Sequence, residues 1–147
     1  MPISKLPCLC ATLRRSARAA TQLYEEALRP HGLRSTQFTI LQALSFVGEV
    51  TQGELGQILA IDSTTLTRTL EIMGRQGWIT KRRGRDKREW RLRLAKKGQS
   101  EFERAMPAWR GVQEQLKRKM GAERWDQLMN LANNVTSATT KGDRHEN

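Results

Sequence analysis

Between residues 9 and 28 apolar side chains return every three or four positions, as Leu9, Leu13, Ala17, Ala20, Tyr24, Ala27 and Leu28. That spacing puts them on one stripe of a helix, which Pro30 and Gly32 end. A second helix is expected from Ser35, whose hydroxyl would cap it by accepting backbone N–H bonds, with Phe38, Leu41 and Leu44 inward and Gly48 as its stop. Thr51 and Glu54 have the spacing of a capping box, in which two side chains reciprocally satisfy orphan donors at a helix start. The short third helix that follows should turn Leu55, Ile58 and Leu59 inward. After the link Ala60-Ile61, Asp62 is placed to cap a fourth helix over residues 63–75.

On the fourth helix Leu66, Leu70 and Met73 share one face, and Thr64, Arg68, Glu71 and Arg75 take the opposite one. Two short helices joined by a tight turn, the second showing hydroxyls and an arginine outward, suit a helix-turn-helix. Gly77 ends that helix, and residues 78–82 are rich in strand formers. After residues 83–88, the run from Glu89 alternates apolar and charged residues to Leu94, so two strands and a Gly and Asp turn predict a hairpin. Trp90, Leu92 and Leu94 are expected on the core, Arg91 and Arg93 in solvent. Beyond Gly98 a long helix should bury Phe102, Ala105, Met106, Trp109, Val112, Leu116 and Met120 and bend at Pro107. After Gly121, a last helix over residues 122–138 places Trp125, Leu128, Met129, Ala132 and Val135 on one stripe, and residues 139–147 should fray.

The 147 residues suit a single compact unit with its own core. Apolar residues make up 37% and charged residues 28%, which describes a polar globular chain of narrow-striped helices. The 26 Lys and Arg against 15 Asp and Glu give a formal charge of +11, so a polyanion is the expected partner. No apolar run approaches the ~18 residues needed to span a bilayer. Residues 1–12 lack the pattern of a signal peptide, so a cytoplasmic location and no membrane partner are expected. Cys8 and Cys10 are too close together to close a useful loop and are taken as thiols. The histidines, His31 and His145, join no cluster with metal-ligand spacing, and neither a hydrolytic triad nor a glycine-rich phosphate loop is present. No metal, cofactor or enzymatic activity is expected.

Placement decides what the charge is for. Lys81, Arg82, Arg83, Arg85, Lys87, Arg88, Arg91 and Arg93 crowd one hairpin against only Asp86 and Glu89. A thin cationic hairpin tip can enter the minor groove of DNA, where the potential is negative. The order of elements, Leu66-Thr67-Arg68, Gly77-Trp78-Ile79, and Asp86-Lys87-Arg88 leading to Leu94-Ala95-Lys96-Lys97-Gly98 resemble the MarR family of bacterial transcriptional regulators. The family usually has Thr where this chain has Ala95.

The resemblance implies a mainly α fold with a small β-wing, a winged helix-turn-helix lobe over residues 35–98, and dimerisation helices over residues 8–30 and 99–138. It implies a homodimer on a palindromic operator in double-stranded DNA, acting as a repressor. The recognition helix would offer Ser63, Thr64, Thr65, Thr67 and Arg68, and the wing Arg83, Arg85, Asp86, Lys87 and Arg88, with Asp86 orienting the wing arginines. A guanidinium such as that of Arg68 can fork onto guanine or touch only phosphate. Family members often release DNA when a small aromatic or lipophilic effector enters a crevice, for which Arg14, Arg18, His31, Phe38 and Trp109 are the candidates. Similarity to the organic hydroperoxide-sensing branch makes Cys10 a candidate redox switch, although Arg14 and Phe38 stand where that branch has tyrosines. The alternatives are a buried thiol acting as a small hydrophobe, and, for the whole chain, a nucleoid-type protein coating DNA without sequence preference.

Overall fold

The computed structural model describes residues 7–139. Helix α1 (Leu9–Leu28) starts at Cys8, whose sulfur accepts the Ala11 N–H at 3.4 Å. Of its apolar stripe only Leu28 is fully buried, while Leu9 and Leu13 remain 63% and 37% exposed. A single 3-10 turn (Arg29–His31) leads to α2 (Ser35–Val47), which supplies Phe38, Ile40, Leu41 and Leu44 to the core.

The cap of α2 is Arg34 rather than Ser35, which is the first helical residue. The Ser35 N–H and hydroxyl both donate to Glu25 Oε1 of α1, at 2.9 and 2.8 Å, and Arg34 Nε pairs with Glu25 Oε2 at 3.1 Å. A carboxylate is a stronger acceptor for the hydroxyl than helix amides are donors to it, so the tertiary tie wins over the local cap. Partial burial of Glu25 raises its pKa, but the Ser35 bonds and the Arg34 charge outweigh it and hold the carboxyl below its usual range.

Strand β1 (Val50–Thr51) has only two residues and was not expected from the pattern. Helix α3 (Gln52–Leu59) follows with the anticipated capping box of Thr51 and Glu54, whose two bonds measure 3.1 and 3.0 Å. Leu55 is buried and Leu59 half-buried, but Ile58 is 53% exposed, because so short a helix has one narrow inner stripe. Helix α4 (Ser63–Arg75) is capped by Asp62, whose Oδ2 accepts the Thr65 N–H at 2.9 Å, and buries Leu66, Leu70 and Met73 as expected.

Strands β2 (Ile79–Arg83) and β3 (Trp90–Leu94) form the hairpin, and the sheet order is β1-β3-β2, antiparallel throughout. Val50 and Lys81 flank Leu92 on either side, and Leu92 is fully buried. Leu94, at the base of the hairpin, packs half-buried against the core as expected, but Trp90 at the outer end is half-buried and does not join it, since the hairpin projects past the helices there.

Helix α5 (Lys96–Met120) continues through Pro107, and α6 (Ala122–Thr139) follows Gly121. Helix α5 begins before Gly98, which lies in its first turn against Trp78. A Cβ at residue 98 would stand 1.9 Å from the Trp78 carbonyl oxygen, so only glycine permits this approach. Phe38 joins α2 to α5 through ring contacts with Phe102 and Trp109, at centroid distances of 5.4 and 5.8 Å. Helix α6 buries no residue in the isolated protomer. The expectations for residues 140–147, His145 among them, and for residues 1–6 lie outside the described residues.

Candidate nucleic-acid interface

Helices α3 and α4 are joined by Ala60, Ile61 and Asp62. Ala60 adopts the left-handed conformation at φ 51°, its N–H bonding Gln57 O while the Ile61 N–H bonds Gly56 O. That pair of bonds is the Schellman arrangement, which ends a helix in one residue and lets the next begin at once. Gln52 Nε2 then donates to Thr67 Oγ1 at 2.9 Å across the helix pair. Thr67 is half-buried and its hydroxyl locks α4 onto α3, whereas Ser63, Thr64, Thr65 and Arg68 are exposed. Ser63, Thr64, Thr67, Arg68 and Glu71 line one shallow open groove along α4. Arg68 forms no ion pair with Glu71 or any other residue among those described.

Helix α4 ends in a second Schellman arrangement, with Gly77 at φ 75° and the Trp78 N–H bonding Met73 O at 3.1 Å, which sends the chain directly into β2. The wing tip is held by its own backbone. Gly84 N–H donates to Glu89 O and Glu89 N–H to Asp86 O, both at 2.9 Å. Asp86 Oδ1 accepts the Arg88 N–H at 3.0 Å, so its carboxylate acts on the backbone of Arg88 and not on an arginine side chain.

The hairpin's eight cations fall into three sets. Trp90 forms a platform, with the Arg83 guanidinium 4.1 Å and the Lys81 ammonium 4.9 Å from its ring centroid. Arg83 also donates to the Lys87 carbonyl, so it belongs to the wing's framework and does not project freely from the tip. On the other face of the hairpin, Arg82 and Arg91 both bind Glu49. Those hydrogen bonds, from Arg82 first and Arg91 second, hold the Glu49 carboxyl at a pKa of about 2. The side chains of Arg85, Lys87, Arg88 and Arg93 are exposed and have no ion-pair partner among the described residues. Sequence reasoning missed Glu49, Gln52 and the platform role of Trp90, because each acts through a partner distant along the chain.

A cavity of about 300 Å³ lies where α1, α2, α3 and α5 meet. Phe38 and Trp109 line it as expected, together with hydroxyls of Thr21, Tyr24, Ser35 and Thr39. Arg14, Arg18 and His31 do not line it. Arg14 and Arg18 are exposed on α1. Cys8 and Cys10 are both exposed in the isolated protomer. Tyr24, the single tyrosine, lies fourteen residues after Cys10, or about 21 Å along the helix, and its hydroxyl donates to Gln113.

Two helices joined by a three-residue turn, followed by a cationic hairpin, define a winged helix-turn-helix, the architecture of DNA-binding transcriptional regulators. A profile of the MarR family matches residues 31–89. The crystal structure of the Mycobacterium (M. tuberculosis) transcriptional regulator MosR in complex with DNA aligns with a TM-score of 0.81 and 39% identity, over 89% of this chain and 95% of that one. The HTH-type transcriptional regulator YwoH of Bacillus subtilis is 35% identical over 91 residues, which cover 62% of this chain and 66% of that protein. The transcriptional regulator PA4135, at 24% identity and a TM-score of 0.83 over 92% of this chain and all of that one (100%), shares the fold. The chain belongs to the MarR family.

Proposed function

We propose that this regulator binds a palindromic operator as a cytoplasmic homodimer, with α4 in the major groove and the wing in the minor groove, and represses transcription until an effector releases it. The observation that carries the reading is the set of unpaired cations at the wing tip, Arg85, Lys87 and Arg88, on a turn whose backbone Asp86 bonds at Arg88. Exposed cations with no internal partner are suited to the electronegative minor groove. The DNA complex of the similar MosR protein supports the same use of the fold here. Dimerisation is supported by apolar surface on both terminal arms: Leu9 and Leu131 are each 63% exposed, and Leu128 and Met129 each 46%. A two-fold copy would cover these faces. No described helix is long and apolar enough to cross a membrane.

The effector is read as a small, uncharged aromatic or lipophilic molecule, because the cavity between the arms and the lobe is lined by three aromatic residues and several hydroxyl-bearing ones but no cation to anchor an acid. Selection of bound fragments from random DNA tests the function: a palindromic consensus is expected. Equal recovery of all sequences would instead indicate a coating protein. In the same assay Arg88→Ala should weaken operator binding strongly with the fold intact, and unchanged affinity would remove the wing from the interface.

A further inference from the structure

Glu49 lies in the link between α2 and β1. Its Oε1 accepts Arg82 Nη2 at 2.5 Å and Arg91 Nε at 2.8 Å, and its Oε2 accepts Arg82 Nε at 3.2 Å. Arg82 and Arg91 are direct cross-strand partners in the β2–β3 ladder. Two guanidinium groups facing each other in this way repel and would splay the hairpin if nothing stood between them. Glu49 comes from outside the hairpin, 33 residues before Arg82 and 42 before Arg91. It therefore fixes both strands to the corner of the helical lobe, on the face opposite the Trp90 platform.

We infer that Glu49 is a positioning residue for DNA recognition, holding Arg82 and Arg91 away from phosphate and setting the wing's angle, so that sequence-independent binding is limited. The inference rests on the wing contacting DNA. A mobile, unpaired arginine adds a phosphate contact on any sequence, and each such contact steepens the dependence of affinity on salt. With Glu49 in place, Arg82 and Arg91 are withheld from such contacts. Base readout through α4 then contributes a larger share of the affinity.

The test compares wild type, Glu49→Gln, Glu49→Ala, Glu49→Gln/Arg82→Gln and Arg88→Ala on a selected operator and on a random duplex, from about 50 to about 200 mM salt. Release of both arginines should steepen the random-duplex slope by up to about 1.8, or about 0.9 for each phosphate gained. Across that salt range the loss of affinity then becomes about twelvefold larger than for wild type. The ratio of operator to random affinity should fall in both Glu49 variants, and adding Arg82→Gln should take back about half of the slope change. Faster amide exchange over residues 81–91, with an unchanged exchange pattern in α2 and α5, would show that the wing was loosened without unfolding. Glu49→Ala covers the case in which the Gln amide retains a bond to Arg82. Unchanged slope and ratio in both Glu49 variants, with Arg88→Ala still weakening operator binding, would overturn the role of Glu49 alone. No effect of Arg88→Ala would overturn the wing reading itself.

Discussion

Replacing Gly98 with alanine tests how the DNA-binding lobe is docked onto the C-terminal arm. The added Cβ would meet backbone of Trp78: the oxygen at 1.9 Å, the carbonyl carbon at 2.8 Å and Cα at 3.1 Å. No side-chain rotation relieves such a contact. The same carbonyl oxygen accepts the Ala95 N–H at 3.0 Å, so a shift that makes room also stretches the bond at the entry to α5. Overpacking costs about 1–3 kcal/mol, and a backbone clash this close belongs at the upper end. Alanine's better helix propensity returns about 1 kcal/mol, so the net loss is about 2 kcal/mol. With an unfolding entropy near 2.1 cal/mol/K per residue, a chain this long should melt about 7 °C lower. The assay is thermal unfolding followed by circular dichroism at fixed protomer concentration, since association would itself move Tm. A melting temperature equal to or above that of the wild type would refute the close approach of α5 to Trp78.

Arg68→Ala is expected to change which bases are selected at one position, a bidentate guanine contact being worth about 1–3 kcal/mol; a uniform loss over all sequences would make Arg68 a phosphate contact. The Glu49 carboxyl titrates near 2 in the folded protein against 4.5 ordinarily, so its contribution is present above about pH 4.5 and is lost as pH falls toward about 2. Urea unfolding in that window should therefore show a weaker pH dependence for Glu49→Gln than for wild type, and parallel curves would contradict the clamp. For the thiols, peroxide is expected to lower operator affinity in the wild type and not in Cys10→Ser; an identical response in both proteins would discard Cys10 as a sensor.

The sequence by itself determined the features that local hydrogen bonding and periodicity control. The inner faces of α2 and α4, the capping box of Thr51 and Glu54, the Asp62 cap, the stop at Gly77 and the hairpin around Gly84 and Asp86 all involve residues a few positions apart, and all formed as expected. Local signals misled where a distant partner competed for the same group. Ser35 has the position and hydroxyl of a cap, but Glu25 of α1 takes that hydroxyl. Trp90 alternates as if it faced the core, yet the hairpin extends beyond the helices there, and two cations cover the ring instead. The cavity likewise excluded Arg14, Arg18 and His31, because helix packing and not helix membership decides what lines a space between four helices. Tertiary structure alone decided which of the hairpin's cations are free. Charge is a property of composition, but pairing requires a carboxylate within bonding distance, and Glu49 reaches Arg82 and Arg91 only once β1 has closed the sheet against β3.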